Sequence, residues 1–368
     1  MDKLKVIISG GGTGGHVFPA IAIANALKKL NPNVEILFVG AKDKMEMQKV
    51  PEAGYKIEGL WISGFQRRLT TKNLVFPFKV IASLLKSKKI IKQFQPDVVI
   101  GVGGYSSGPV VYVASKMGIP TLVQEQNSFP GITNRILAKK VDKICVAYDG
   151  MERFFPKLSL IKTGNPVRRS LLDINIDKTA AYDRFNLDPN KKTLLVIGGS
   201  LGARTINESI KEGLRALMDL GIQVLWQTGK NYFNEAESAA RKIDLNNIVV
   251  REFIKEMDLA YAVADVVVSR AGAISVSELC LAKKPVIFVP SPNVAEDHQT
   301  KNATALVNNN AAILVKDKEA GIMLVNKVKE LLKNQSLQDQ LTSNIAKLGI
   351  SNAAEVIAQE VFDMVSAE

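Results

Sequence analysis

The sequence predicts an α/β protein with two Rossmann-like, doubly wound domains that face each other across a cleft. Short apolar strands alternate with helical segments, a pattern typical of parallel sheets covered by helices on both faces. A strand, a glycine-rich loop and a helix follow one another near the amino terminus, and the same scheme begins again at Thr193. A chain of 368 residues is also too long for one ordinary core and fits two domains.

Each expected element follows from a local residue pattern. Short β-branched and apolar runs predict strands, and apolar residues at helical spacing predict helices. The expected strands lie at 4–8, 34–39, 97–100, 120–123 and 143–146, and then at 193–197, 224–226, 265–269 and 285–289. The expected helices include 17–30 and 204–218, and residues 336–368 indicate two helices without a strand.

These elements group into three segments of the chain. The N-terminal domain is expected at 1–163, the C-terminal domain at 164–340 and a helical tail at 341–368. We expect the tail to pack back on the N-terminal domain.

The composition narrows the class of protein. With 46% hydrophobic and 23% charged residues the chain is globular. Cys145 and Cys280 have apolar neighbours and indicate buried residues in a reducing compartment. Two histidines and no Asp-x-Asp triplet give no basis for a metal site, so neither a metal nor a cofactor is expected. The sequence shows no signal peptide and no apolar run long enough to span a bilayer, which predicts a cytoplasmic protein.

Three glycine-rich loops follow expected strands, at 10–16, 101–108 and 198–204. Ligands of open α/β sheets bind beyond the carboxyl ends of the strands, where these loops would lie. The first loop also satisfies G-x-G-x-x-G through Gly10, Gly12 and Gly15, which makes a dinucleotide dehydrogenase an alternative. The second strand, however, is followed by Gly40, Ala41 and Lys42, with no acidic partner for a ribose.

The stretch 265–278 predicts a nucleotide site. A β-branched strand breaks at Gly272 and is followed by a helical pattern, so the first amides of that helix would face a phosphate or diphosphate. Glu278, one to two turns inside the helix, would accept hydrogen bonds from a ribose diol. The alternative is an ordinary strand–helix junction with Glu278 in solvent.

Two residues are candidates for acid–base chemistry. His16 falls in the first turn of a helix, where the helix dipole disfavours imidazolium and favours a general base, although a structural histidine is the alternative. Glu125 directly follows a strand at the same rim, where a hydrogen-bonded turn is the alternative. His298 fits a helix start. Backbone amides and Arg168 or Arg204 would meet diphosphate charge.

Residues between Gly59 and Pro96 include no acid, in a chain of net charge +12. Basic and large apolar side chains alternate there, which suits an anionic bilayer surface better than nucleic acid. A core-facing amphipathic helix is the other interpretation. We expect both, with part of the apolar face buried and the loop 62–75 available to lipid. The candidate membrane residues are Arg67, Arg68, Leu74, Phe76, Phe78 and Ile81.

Six motifs in this order resemble glycosyltransferase family 28, in particular the bacterial N-acetylglucosaminyltransferases of peptidoglycan synthesis. They are Gly-Gly-Thr-Gly-Gly-His at 11–16, Gly-Gly-Tyr-Ser-Ser-Gly-Pro at 103–109, Glu-Gln-Asn at 125–127, Gly-Asn-Pro-Val-Arg at 164–168, the loop 198–204 and the stretch 269–278. The resemblance covers nearly the whole chain.

The resemblance implies an inverting, metal-independent enzyme of the GT-B fold, peripheral on the cytoplasmic side of the membrane. Its first domain would bind acceptor and membrane, with Tyr105 and Ser106 at the acceptor, and its second would bind the UDP-sugar. The implied partners are UDP-N-acetylglucosamine, lipid I in the cytoplasmic leaflet and an anionic membrane surface, but no nucleic acid. The implied donor contacts are Thr13, Gly14, Gly15, Asn127, Arg168, Ser200, Ile254, Ala273, Ile274, Ser275, Val276, Ser277, Glu278 and Gln299.

Three other functions remain open at this point. One is a UDP-sugar transferase that acts on another lipid, such as diacylglycerol. The second is a UDP-N-acetylglucosamine 2-epimerase, and the third is a nucleotide-sugar sensor without catalysis.

Overall fold

The computed structural model describes residues 4–64, 75–168, 171, 176–244 and 246–366. The chain forms two compact units, one of Met1–Arg168 with Asn352–Glu368 and the other of Arg169–Ser351. The division therefore falls after 168, where the sequence suggested 163. Residues 341–351 belong to the second unit, not to the returning tail, because Leu341 is buried in the core of that unit.

The first unit contains a parallel sheet of seven strands in the order β3-β2-β1-β4-β5-β6-β7. Its strands are β1 (Lys5–Ser9), β2 (Glu35–Ala41), β3 (Lys56–Leu60), β4 (Val98–Gly101), β5 (Thr121–Glu125), β6 (Lys143–Val146) and β7 (Leu160–Lys162). The helices between them are α1 (Gly14–Leu30), α2 (Glu46–Glu52), α3 (Phe76–Phe94), α4 (Ser107–Lys116) and α5 (Ile132–Leu137).

The second unit contains a parallel sheet of six strands in the order β10-β9-β8-β11-β12-β13. Its strands are β8 (Thr193–Ile197), β9 (Gln223–Gln227), β10 (Ile248–Arg251), β11 (Val266–Ser269), β12 (Val286–Phe288) and β13 (Ile313–Leu314). Its helices are α6 (Lys178–Phe185), α7 (Arg204–Met218), α8 (Phe233–Ile243), α9 (Met257–Val263), α10 (Ala273–Ala282), α11 (His298–Val307), α12 (Ala320–Lys333) and α13 (Gln335–Ala346).

The last helix, α14 (Ala353–Ser366), packs on α1 of the first unit. Ile357, Ala358 and Val361 are buried in the same core cluster as the strands β1 and β2. Two ion pairs also join α14 to the first unit, Lys29 of α1 with Glu355 at 3.4 Å and Lys143 of β6 with Glu360 at 3.3 Å. The first unit is therefore assembled from the two ends of the chain.

The doubly wound architecture confirms the predicted fold class. Four strands were not predicted, β3, β7, β10 and β13, and these are the edge strands of the two sheets. Edge strands are shorter and less continuously apolar than central ones, so their pattern is weak. Among the described residues no helix is long and apolar enough to cross a bilayer.

Candidate functional site

In the first unit, a buried carboxylate holds the glycine loop between β1 and α1. Glu46, at the start of α2, accepts hydrogen bonds from the amides of Gly12, at 3.0 Å, and Ala41, at 2.9 Å. A Cβ on Gly11 would overlap with the Glu46 carboxylate, so the loop and the acid require each other. Glu46 was not a predicted site residue; its one sequence signal is a carboxylate flanked by Met45 and Met47.

His16 lies in the first turn of α1, after Thr13, Gly14 and Gly15. Its Nδ1 lies 3.0 Å from Oε1 of Gln126, which follows β5. The loop after β4 approaches the same ring. At Gly103 the backbone φ is +92° and a Cβ would lie 2.8 Å from His16 Nδ1. The positive end of α1 and two loops therefore surround the imidazole.

Glu125 is 2% exposed and its oxygens are engaged by neighbouring donors. Oε1 accepts hydrogen bonds from the amide and the side chain of Asn127, at 3.0 and 3.1 Å. Oε2 accepts them from the Gly131 amide, at 3.0 Å, and from Asn134 Nδ2, at 2.9 Å. Four donors on one carboxylate hold the segment 125–134 in place, and this arrangement favours the hydrogen-bonded turn over proton transfer.

The second glycine loop touches the first. A Cβ on Gly104, whose φ is +80°, would overlap with the Gly11 carbonyl, and the Tyr105 ring lies against Gly12. Tyr105 is half-buried, whereas the Ser106 side chain is buried at the start of α4. Of the two predicted acceptor residues, Tyr105 therefore has the more accessible side chain.

The helix α3 presents an apolar surface to solvent, which we call the α3 surface: Val75, Phe78, Ile81 and Leu85. The last three are 68%, 56% and 67% exposed. The face that packs inward carries Ser83, Ser87, Ile90 and Ile91 instead. The core-facing interpretation of Phe78 and Ile81 is therefore wrong, because small serines allow α3 to approach the unit with its other side.

Lysines continue the same side of α3 towards its C-terminus. Lys88, Lys89 and Lys92 are exposed there. Phe76, at the first position of α3, is partly buried. The predicted membrane residues Arg67, Arg68 and Leu74 lie outside the described residues.

In the second unit, a cavity of about 360 Å³ opens at the carboxyl ends of the strands. Glycine loop 198–204, the start of α10 and the loop after β12 form its walls. It is lined by Gly198, Gly199, Gly202, Ala203, Arg204, Thr205, Arg270, Gly272, Ser275, Ser291, Pro292, Asn293, Gln299 and Asp317.

The N-terminus of α10 supplies donors to this cavity. Gly272 is the N-cap, and the Val276 amide is the first to bond within the helix, to Gly272 O at 2.9 Å. The preceding amides, of Ala273, Ile274 and Ser275, have no acceptor of their own helix, which is the geometry of an anion site. The Ser277 hydroxyl instead donates to Ala273 O at 3.1 Å.

Glu278 follows one turn further along α10 and is buried. Tyr261 donates a hydrogen bond to its Oε2 at 3.3 Å. Ile254 is also buried, and its amide donates to Gln227 Oε1 at 2.9 Å. Gln227 in turn donates to Gly199 O at 3.0 Å, which ties the glycine loop to the segment after β10. Ser200, at the tip of that loop, is exposed.

An ion pair supports the floor of the cavity. Arg270 pairs with Asp317 and donates to Val289 O at 2.8 Å, and Thr205 donates to the same carboxylate at 3.0 Å. Gln299 joins two neighbouring loops, because its Oε1 accepts hydrogen bonds from Ala271 N and from Ser291 N, at 3.2 and 2.9 Å. The pairing of Arg270 with Asp317 spans 47 positions and was not visible in the sequence.

Three further residues considered in the sequence analysis, Arg168, Arg204 and His298, lie outside the lining described so far or contact other side chains. The Arg168 guanidinium stacks on Phe18 of α1, 5.9 Å from the ring centre. Arg204 pairs with Glu208 on α7 at 2.7 Å. His298 begins α11, as expected, after Glu296 and Asp297 with positive φ. Among the described residues, no group of three His, Cys, Asp or Glu could hold a metal ion.

Comparison with known proteins gives consistent matches along the chain. Residues 6–146 match the glycosyltransferase family 28 N-terminal domain and residues 193–360 the glycosyltransferase family 28 C-terminal domain. A Phocaeicola vulgatus protein is 56% identical over 99% of this chain and 97% of its own length. A Flavobacterium psychrophilum protein is 54% identical over the whole of both chains. Each is named UDP-N-acetylglucosamine–N-acetylmuramyl-(pentapeptide) pyrophosphoryl-undecaprenol N-acetylglucosamine transferase.

Among solved structures, the crystal structure of MurG from Acinetobacter baumannii superposes with a TM-score of 0.79 at 27% identity, covering 98% of this chain and 99% of that one. The chain therefore belongs to glycosyltransferase family 28 and has its two-domain, Rossmann-like GT-B fold.

Proposed function

We propose that this enzyme transfers N-acetylglucosamine from UDP-N-acetylglucosamine to the 4-hydroxyl of pyrophosphoryl-undecaprenol-linked N-acetylmuramyl-pentapeptide. The product is the lipid-linked disaccharide of peptidoglycan, so the reaction serves cell-wall synthesis and, through it, cell shape and division. Relatives that are more than 50% identical over 97% or more of their length are named as the transferase for this donor and this acceptor, which supports the choice of both.

The observation that carries the proposal is the cavity of the second unit. The first amides of α10 face this cavity, and the opposite wall is lined by glycines. Free amides bind a diphosphate, and glycines let it approach the main chain without a steric clash. Glu278 would accept the ribose hydroxyls after a small displacement of Tyr261, and the segment at Ile254 would contact uracil. Ser275 and Gln299 line the same cavity and would contact diphosphate and sugar.

The chemistry needs a base for the acceptor hydroxyl, and His16 is the candidate. Its imidazole removes the proton as the oxygen attacks the anomeric carbon, the bond to UDP breaks with inversion, and the leaving diphosphate charge is met by amides and Arg168. Thr13, Gly14, Gly15 and Asn127 would complete the donor contacts. Glu125 acts through the turn that it holds.

UDP release from UDP-N-acetylglucosamine, with and without a lipid I analogue, tests the proposal. We expect release only with that acceptor and a fall in kcat of about 10²- to 10⁴-fold in His16→Ala, with UDP affinity unchanged. Formation of the 2-epimer without acceptor would indicate an epimerase, and transfer to diacylglycerol alone a different lipid. UDP binding with no turnover would indicate a sensor.

We further propose that the enzyme is peripheral on the cytoplasmic face of the membrane and docks through the α3 surface. Exposed apolar side chains at one end and lysines at the other match the interface of an anionic bilayer. Sedimentation with phosphatidylglycerol vesicles measures this binding. The combined variant Phe78→Ser, Ile81→Ser and Leu85→Ser should lose this binding and keep UDP affinity, whereas Ile322→Ser, at a still more exposed apolar site of the second unit, should leave it intact.

A further inference from the structure

The side chain of Gln126 lies between His16 and a group of main-chain carbonyls. It is 1% exposed. Its Nε2 donates to Val102 O at 2.8 Å and lies 3.4 Å from Gln124 O, and it also donates to the Gln124 side-chain oxygen. Carbonyl oxygens only accept hydrogen bonds, so the nitrogen of this amide must face them. Its oxygen therefore faces His16 Nδ1, 3.0 Å away.

This orientation decides which nitrogen of the imidazole carries the proton. An amide oxygen is an acceptor, so the nitrogen that faces it must be a donor. A neutral imidazole has one N–H, which is then on Nδ1, and the lone pair is on Nε2. We propose that Gln126 is a positioning residue that fixes His16 in the Nδ1–H tautomer, so that Nε2 is the atom that takes the proton of the acceptor hydroxyl. This inference rests on the proposed function.

A closed network keeps the Gln126 amide from turning over. Gln124 Nε2 donates to Asn165 Oδ1 at 3.1 Å, and Asn165 Nδ2 donates to Gln126 O at 3.0 Å. Gln124 and Asn165 are both buried. If the amide were reversed, its oxygen would face three other oxygens in a dry environment, which is unfavourable. The network therefore has one satisfied arrangement.

Gly103 lies close to the same edge of the ring that contacts Gln126, and it leaves room for that contact because it has no side chain. Any side chain there would push on Nδ1 and Cε1 and would lengthen the contact with Gln126. A neutral amide also sets the tautomer without adding a charge next to the base. The arrangement plays the part that a carboxylate plays in a catalytic triad, in which the partner of the histidine selects its tautomer.

Nitrogen-15 NMR of the histidine side chains tests the tautomer directly and independently of activity. The chain has two histidines, so the signals of His16 are identified by their absence in His16→Ala. We expect Nδ1 to be protonated and Nε2 unprotonated in the unliganded enzyme at neutral pH. We expect both tautomers in Gln126→Met. Protonation at Nε2 in the wild-type enzyme, or no change in Gln126→Met, would overturn the proposal.

Kinetics test the consequence. Gln126→Met should lower kcat by about 10-fold, with the KM for UDP-N-acetylglucosamine unchanged, because only the fraction with the correct tautomer and orientation reacts. The same substitution in a His16→Ala background should have no further effect on kcat. Additive losses in the double variant would overturn the proposal.

A matched control is available in the second unit. Gln338 is also buried and donates to Leu331 O at 2.7 Å and Leu332 O at 3.2 Å. Gln338→Met removes a similar amide and should lower the free energy of unfolding without changing kcat or the His16 signals. If the wild-type enzyme shows no transfer, the proposed function fails, while the NMR result still decides the tautomer.

Discussion

The two units repeat a strand, a glycine-rich loop and a helix, yet they use the loop differently. In the first unit side chains from other elements contact the loop and its helix: Glu46 accepts a hydrogen bond from the Gly12 amide, and Gln126 lies against His16. In the second unit the corresponding space is a cavity of about 360 Å³ next to the start of α10.

The comparison shows that the sequence of strand, glycine-rich loop and helix does not by itself determine what the loop does. In the first unit a carboxylate accepts a hydrogen bond from the loop amide of Gly12, and the loop leads into the helix that carries His16, the proposed base. In the second unit the side chains around the cavity bond to one another, as Arg270 does with Asp317. The first amides of α10 therefore remain available for a ligand. Substitutions that disturb the loop 198–204 or the floor of the cavity should therefore alter UDP affinity, and substitutions that disturb the loop 10–16 should mainly alter stability and turnover.

The largest effect is expected from Gly202→Ala in the loop 198–204 of the second unit. Gly202 has φ +78°, and a Cβ there would overlap with the Thr228 carbonyl. Because main chain on both sides must move, we expect UDP affinity to fall about 100-fold, which corresponds to about 2.7 kcal/mol. Isothermal titration with UDP measures it.

Gly221→Ala is the control, since φ there is +69° and its Cβ would meet nothing within 4 Å. It should cost about 1 kcal/mol of stability and leave UDP affinity unchanged. Equal losses of affinity in both variants would mean that UDP binding does not depend on the shape of the loop 198–204.

Arg270→Ala should have the next largest effect. It leaves the mostly buried Asp317 carboxylate without its cation at the floor of the cavity, where the proposed diphosphate binds. We expect a loss of about 3 kcal/mol in the free energy of unfolding and about 10-fold weaker UDP binding. Denaturant unfolding and UDP titration measure the two effects. Unchanged UDP affinity would remove Arg270 and Asp317 from the description of the site.

Glu46→Ala should lower the stability of the first unit by about 2 kcal/mol, because the amides of Gly12 in the loop and of Ala41 at the end of β2 lose their acceptor. Turnover should fall with it, and UDP affinity should change little. Glu58→Ala is a control, because that exposed carboxylate pairs with Lys86 at the surface and should cost less than about 1 kcal/mol. A loss of UDP affinity in Glu46→Ala would break the proposed difference between the two loops.

The smallest effect is expected from thiol reagents. Burial raises the pKa of Cys145 and of Cys280 to about 12, so neither is a thiolate in the folded protein at pH 8. We expect no reaction with Ellman's reagent until the chain is unfolded. The pKa of each thiol is higher in the folded chain than in the unfolded chain, so burial of the neutral thiols favours the folded state. This contribution to the free energy of unfolding is present below about pH 9 and is lost as the pH rises towards 12.

The sequence predicted the central strands and the helices that follow them, because both have strong periodic patterns. It missed edge strands such as β13, which has two residues, since so short an element shows no alternation. The exposed apolar face of α3 was only partly expected. Its periodicity indicates that one side of the helix is apolar. It does not reveal that this side is exposed and that the opposite side, with Ser83 and Ser87, packs against the unit.

For the site, the sequence indicated the loops and His16 but not the residues that hold them. Glu46 and Asp317 meet the loops only through the folded chain, and no local pattern marks a carboxylate as buried. Gln126 lies inside a predicted motif, but its role depends on which of its two amide atoms faces the carbonyls. Such contacts are long-range, and they are decided by packing.

The position of α14 has a consequence for biosynthesis. Ile357 and Val361 complete the core around β1 and β2, although the ribosome adds them after the entire second unit. The first unit must therefore wait, with part of its apolar interior uncovered, until the residues of α14 have been synthesised. A nascent chain arrested or truncated before 352 would expose that interior and would be a natural substrate for chaperones and proteases.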